Sequence, residues 1–410
     1  LPWLIIVPLV AYLLTQDLLF TLLNALIFAP LYTADDARKA WGWGAAGTMM
    51  CLASAWSGLV DLYIAAILLG FFILPWLVMG EEETISENWL SRRFILRLAL
   101  WAPVVLTSLY LILTLVILIS SIDAVQFEAH ELYGAPFIMA VALSMFAYTS
   151  RHQSPQRIAS IVVGVALVSI LFAAFLPSAL GGDASEPISE YLSRGTIAWL
   201  VLPAVLVAVV PMGAEVVRRV QTSGFNKIAP AAHLVHFGLL LLLIGHVFTT
   251  VLVDRGDASH RITLVRGEFV EDGDYQYMFE EIVLEDENLE VGDRYVGAVI
   301  SVYQDGEKIG TVQPGLIGFD GSSNPPRSEV DTLVRSHGDI VFIFDGSQSS
   351  SMMQQVQSDG EESVQRMRVI IYDLPASHLV WAGWAIMMVG MAWLTVLDAR
   401  QTPHFKAEEE

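Results

Sequence analysis

Three histidines share one apolar stretch of this chain: His233-Leu-Val-His236-Phe-Gly238, then Gly245-His246. An imidazole nitrogen ligates transition metals and haem iron, and it changes charge near neutral pH. The run from about residue 230 to 253 is long enough to cross a bilayer as a helix. Ionisable side chains in hydrocarbon are costly and need a partner, so three on one spanning segment are functional candidates by position alone. At about 100° per residue, His236 stands about 60° from His233 and about 80° from His246, so the three fan across one side of the helix. The chemistry open to them is ligation of a metal or haem iron by at least one ring. The plainer reading is that they hydrogen-bond to neighbouring helices or sit at the membrane interface.

The elements that must position these rings follow from composition. Hydrophobic residues make up 54% of the 410 residues and charged residues 16%. That balance describes a polytopic membrane protein. The lone cysteine, Cys51, excludes an internal disulfide and a CxxCH haem-attachment site. The formal net charge of −21 disfavours a nucleic-acid partner. Lysine is confined to Lys39, Lys227, Lys308 and Lys406. An acidic, lysine-poor surface of this kind suits a protein facing concentrated salt, where repulsion between carboxylates is screened.

Apolar runs predict nine spanning helices, at about 3–30, 41–56, 60–80, 95–121, 133–149, 158–180, 195–216, 230–253 and 379–397. Arg38 and Lys39, then Arg92, Arg93 and Arg97, then Arg151 and Arg157, then Arg218, Arg219 and Lys227 make every second connection basic. Basic connections mark the cytoplasmic side. The amino terminus is thereby expected outside, the carboxyl terminus in the cytoplasm, and His130 in an external loop. Between the last two runs, Arg261–Val265, Tyr277–Phe279, Val299–Tyr303, Ile340–Phe344 and Met367–Tyr372 alternate apolar and polar residues, the strand pattern. Asp305-Gly306 reads as a hairpin turn. Residues 321–327 and 347–360 read as polar loops. The expected fold is an all-α membrane bundle of about nine transmembrane helices carrying an extracytoplasmic β-rich domain. Its parts are residues 1–253 (helices), 254–377 (insert) and 378–410 (last helix and cytoplasmic tail), in the cell membrane.

Other candidates are weaker. His130 lies in Phe127-Glu-Ala-His-Glu-Leu-Tyr-Gly134, where flanking glutamates fit a solvated residue as well as a ligand. His260 and His337 fall in the insert without clustered partners, and His378 opens the last helix. HExxH, CxxC and P-loop motifs are absent from the sequence. Asp17 and Asp61, with the histidine helix, would fit a proton path in a transporter or channel subunit. No inverted repeat accompanies them. A non-catalytic assembly subunit is a further alternative.

Taken in order, several segments resemble the C-terminal part of CcmF, the haem lyase subunit of cytochrome c maturation system I. Leu106-Thr-Ser through Ser120-Ser-Ile-Asp, then His130 and Gly134, is similar to the helix and external loop with the family's second periplasmic histidine. Leu176-Pro177 resembles a family helix end. His236-Phe-Gly within residues 230–244 resembles the helix holding a transmembrane haem b ligand. Val302-Tyr-Gln-Asp-Gly-Glu-Lys, Val312-Gln-Pro314 and Ser323-Asn-Pro-Pro-Arg-Ser-Glu329 resemble the large periplasmic insert. Trp381-Ala-Gly-Trp384 through Gly390-Met-Ala-Trp393 resembles the final helix. The tryptophan-rich haem-docking motif has at most an echo in Trp41-Gly-Trp43-Gly, and the histidines flanking it have no counterpart before residue 130.

The resemblance implies a haem-handling subunit of a cytochrome c haem lyase (synthetase), split so that a second CcmF-type chain supplies the tryptophan-rich motif and missing histidines. Other maturation proteins would deliver haem, and apocytochrome c would bring its CxxCH thiols. His236 is implied as an axial ligand of haem b and His130 as an axial ligand of the substrate haem. His233 and His246 compete with His236. On this reading Gly238 lets a flat macrocycle approach the backbone, and His233 meets water or headgroups near the cytoplasmic end.

Overall fold

The computed structural model describes residue 73 and residues 92–401, apart from 120–126, 189–191, 226–227, 255, 257, 286–291, 293 and 320–325. The first three expected spans, with Asp17, Trp41, Cys51 and Asp61, lie outside the described residues. The chain divides into two compact units, Leu1–Ile244 with Ala382–Glu410, and Gly245–Trp381.

The first unit is helical: α1 (Arg92–Ile119), α2 (Phe127–Thr149), α3 (Pro155–Phe175), α4 (Arg194–Ser223), α5 (Ile228–His246) and most of α7 (Ser377–Gln401). Among the described residues, four helical segments are long and apolar enough to cross a membrane, in α3, α4, α5 with its extension to Val251, and α7. Shorter apolar stretches lie within α1 and α2. Local chemistry sets the boundaries. Ser154 caps α3 by accepting from the Arg157 amide at 3.3 Å, with Pro155 opening the first turn where its missing N–H is harmless. Ser193 caps α4 the same way through Thr196, and Gly224 closes it at φ 67°. Val163, Leu167, Ile170 and Leu171 on α3 are exposed, the surface lipid would cover.

The second unit is an antiparallel β-sandwich. One sheet has the order β1-β10-β9-β8 (Arg261–Val265, Arg366–Pro375, Gly338–Phe344, Asp331–Arg335). The other runs β2-β3-β4-β6-β7 (Phe269–Asp272, Tyr275–Glu285, Arg294–Gln304, Gly315–Gly318, Arg327–Glu329), with β5 (Glu307–Val312) also on β4. Phe279, Ile300 and Val302 of one sheet pack with Ile340, Phe342 and Val369 of the other in a single core. Asp305 (φ 52°) and Gly306 (φ 81°) form the expected β4–β5 turn, whose left-handed backbone favours Asp-Gly.

Residues 347–360 correct the loop expectation. They hold a short 3₁₀ turn and helix α6 (Ser349–Asp359), which buries Met352 and Val356 in the sandwich core. Two apolar residues four apart give that helix an inward stripe despite its polar composition.

Candidate functional site

Helix α5 is held by a seam of small residues. A Cβ added at Gly238 would lie 2.7 Å from Gly383 O and 2.8 Å from Met387 N on α7. One added at Gly383 would lie 2.5 Å from Leu242 N, and one at Gly390 would lie 3.0 Å from Val235 N. Ala231 and Gly238, Val235 and Leu242, and Gly383 and Gly390 are each seven residues apart. Such spacing keeps one narrow strip facing the partner, and small residues let the backbones close in. Gly238 therefore serves helix packing. It lies about 160° around the helix from His236, so the expectation that it opens the backbone to a macrocycle is wrong.

That seam fixes where the other face of α5 points. Phe237 meets α4 at Gly213, where an added Cβ would come within 3.1 Å of the phenyl ring. His233 shares this face and is 7% exposed. Its Nδ1 donates to Ala229 O at 2.6 Å, and its ring stacks on Tyr148 with centroids 5.9 Å apart. The other nitrogen, Nε2, lies 3.9 Å from Glu215 Oε1 and makes no hydrogen bond. His233 is thus buried between helices rather than in contact with water or headgroups.

Glu215, on α4, is the centre of that cluster. It accepts from Arg151 Nη2 at 2.7 Å, Arg218 Nε and Nη2 at 2.7 and 2.6 Å, and Arg219 Nε at 2.9 Å. Arg151 also lies over the Tyr148 ring, 4.8 Å from its centroid. A carboxylate 4% exposed needs such partners, because an unpaired buried charge is costly. Glu215 was not singled out from sequence. The signal was present: it is the sole acid between Glu190 and Asp254, three and four residues before two arginines.

His236 stands apart. It is exposed, with the Ala232 carbonyl one turn below within reach of its ring. A ring so placed can turn one N–H to that carbonyl and leave its second nitrogen to coordinate a metal, as metal-binding histidines do. The residue therefore fits an axial role toward haem iron. His246 ends α5 half-buried, followed at once by a π-helical turn, Val247–Val251, closed by Leu252 N to Val247 O at 2.9 Å. Such turns often accompany functional residues.

His130 lies in the first turn of α2 rather than in a loop. Next to it, Glu131 faces Arg194 of α4 at 3.7 Å, both side chains buried. The first turns of α2 and α4 therefore meet at one end of the helices, and Arg151 and Glu215 meet at the other. His130 and His233 stand at opposite ends of α2. Among the described residues, three or more potential metal-binding side chains come together nowhere. A haem axial site asks for only one or two.

The histidines of the insert make local contacts and, among the described residues, join no cluster of three or more metal-binding side chains. His260 Nε2 donates to Asp254 O at 2.5 Å and its ring packs on Tyr372 at 4.6 Å. His337 Nε2 meets Arg335 Nη1 at 3.2 Å. His378 Nε2 bonds to the Arg335 carbonyl, while the Arg335 guanidinium bonds to Tyr275 and Asp373. Asp345 takes Arg261 at 3.1 Å, Arg368 at 3.3 Å and the Ser347 amide at 3.0 Å. Burial alone would push its carboxyl up. The Ser347 bonds and two guanidinium groups outweigh burial and hold it below the ordinary carboxylate value.

No protein-family model and no curated protein matches the sequence. A solved structure described as "Cytochrome c Heme Lyase CcmF" is similar to 96% of this chain and 72% of its own, at TM-score 0.48 and 15% identity.

Proposed function

We propose that the chain is the haem-handling subunit of a membrane haem lyase that matures cytochromes c. It would position haem for attachment to CxxCH apocytochromes on the outer face. The observation that carries this reading is His236. It occupies the matching position of a family motif and stands exposed on α5, with the Ala232 carbonyl within reach of its ring. When bound, a haem b would supply one-electron chemistry that keeps the substrate iron reduced.

The chain's own contribution is positioning. The α7 seam sets the rotation of α5 and so the direction in which His236 leaves the helix. A bond from the ring to the Ala232 carbonyl would hold its plane and tautomer. Apolar neighbours such as Leu239 and Leu240 make that stretch of helix apolar. His130, in the first turn of α2, is the ligand proposed for substrate haem, with the buried Glu131–Arg194 pair fixing that turn.

Two haem positions at different levels of the membrane fit this separation of histidines. The convergence of Arg151, Arg218 and Arg219 on Glu215 supports a common cytoplasmic end for the connections after α2 and α4. By that orientation the insert lies outside and the carboxyl terminus in the cytoplasm. Partners are a second CcmF-type chain with the tryptophan-rich motif, haem-delivering maturation proteins and apocytochrome c.

Two experiments test the reading. In a Cys51→Ser background, Ser322→Cys should react with an impermeant thiol reagent on intact cells and Ser154→Cys should not. The reverse pattern would remove His130 from the outer face. The chain should co-purify with a membrane protein bearing the tryptophan-rich motif, and the complex should give a pyridine haemochrome spectrum. Haem ligation and cytochrome c maturation by the chain alone would contradict the split arrangement.

A further inference from the structure

The Glu215 cluster has more cation than it neutralises. Between Leu132 and Gly182 the sequence has no carboxylate, and between Tyr191 and Val253 Glu215 is the only one; Arg194, in the second range, pairs with Glu131 at the other end of the helices. Against it stand Arg151, Arg157, Arg218, Arg219 and Lys227. Glu215 takes three of those guanidinium groups, and it takes only part of each. Arg218 gives it Nε and Nη2, leaving Nη1, and Arg219 gives it Nε alone, leaving both Nη groups. Among the described residues these nitrogens meet no other acceptor. The Arg218 side chain is 55% exposed and that of Arg219 27%. Glu215 thus serves as a post that holds both guanidinium groups while leaving part of each unbonded and solvent-accessible.

What lies beneath Arg218 identifies the ligand. Leu206, Val210, Ala214 and Val217 of α4 are all exposed, Val210 to 73%. At about 100° per residue they form one stripe along the helix, and Arg218 caps it. Just past the end of α4, Phe225 packs on Trp393 of α7 with centroids 5.5 Å apart, and the indole N–H donates to Phe225 O at 2.9 Å. Aromatic residues of this kind mark the headgroup level of a bilayer. An apolar stripe one helix turn below paired guanidinium groups, at headgroup level, matches acyl chains ending in a phosphate. We infer that Arg218 and Arg219, braced by Glu215, bind the phosphate of an anionic phospholipid whose chains lie along Leu206, Val210, Ala214 and Val217. Planar guanidinium groups suit a phosphate because they offer paired N–H donors. Short-range bonds of this kind persist where salt screens longer-range attraction.

The test uses the full chain purified in detergent, titrated with lipid and followed by native mass spectrometry and thermal unfolding. Phosphatidylglycerol should be retained at least about tenfold better than phosphatidylcholine, because each arginine near a headgroup favours the anionic lipid several-fold. Arg218→Gln with Arg219→Gln should erase that preference, whereas Arg157→Gln, an exposed arginine on α3, should keep it. Val210→Gln, which leaves the cluster intact, should weaken retention by itself. Inorganic phosphate should leave the unfolding temperature unchanged at concentrations where the lipid raises it. Equal retention of the two lipids, equal losses in the double variant and Arg157→Gln, or equal stabilisation by inorganic phosphate would overturn the assignment.

Discussion

His233 and His236 are three residues apart on α5 and have opposite surroundings. His233 is buried against Tyr148, with Ala229 O on one nitrogen and the Glu215 carboxylate 3.9 Å from the other. His236 has the Ala232 carbonyl within reach of its ring, but its side chain is exposed. Apart from the family resemblance, the sequence treats the two alike: each is a histidine on a spanning apolar run. The difference comes from a rotation of about 60° around the helix, fixed by small residues on the far side. One histidine becomes part of the packing that holds α2, α4 and α5 together, and the other is left able to bind something brought to it.

The comparison can be broken hardest at Glu215. Glu215→Ala leaves three guanidinium groups without their shared carboxylate, and loss of one partner from a buried ionic network typically destabilises by about 3–5 kcal/mol. Thermal unfolding in detergent should show a large drop, or the protein should fail to accumulate. A fall no larger than that of Arg157→Gln would mean that the cluster does not hold the helices.

The seam is the next test. Gly238→Ala places a methyl against Gly383 O and Met387 N, and overpacking of this kind typically destabilises by about 1–3 kcal/mol. Gly164→Ala, in α3 where an added Cβ meets nothing within 4 Å, should be neutral or stabilising by up to about 1 kcal/mol. Equal effects would remove the seam as the device that aims His236.

A smaller effect is expected in the insert. The folded Asp345 carboxyl sits below its ordinary value. Its contribution is therefore present above the unfolded carboxylate value of about 4 and disappears as pH falls through the lower folded value. Asp345→Asn should lower stability by about 1 kcal/mol near neutral pH, and the gap from the unsubstituted protein should close in acid. A gap that widened in acid would contradict the ion-pair arrangement.

Much of this was legible in advance, for identifiable reasons. β1 matches the expected Arg261–Val265 at both ends, and the expected segments of β9 and β10 fall inside the strands, because period-two alternation over a buried face is a strong local signal. Helix α6 was missed because Ser, Gln and Asp mask a stripe of two residues that only the sandwich core makes visible. Gly238 was assigned to the wrong neighbour. A heptad of small residues and a gap for a cofactor look alike until α7 is placed against it. The reach of Glu215 to Arg151 and of Glu131 to Arg194 was not legible, because these partners lie 64 and 63 residues away in sequence, although the Arg218 and Arg219 partners of Glu215 are local. The exposure of His236 was equally out of reach, since only the packing of neighbouring helices decides which histidine of α5 is covered.

The central claim is that His236, and not His233 or His246, ligates haem b. The most direct test is a pyridine haemochrome measurement on the complex purified with His236→Ala, His233→Ala or His246→Ala, read alongside cytochrome c maturation. His236→Ala should abolish both, with partial recovery on adding imidazole to fill the vacated position. His233→Ala should keep most of both despite some loss of stability. Loss of haem in His246→Ala with full haem in His236→Ala would contradict the assignment.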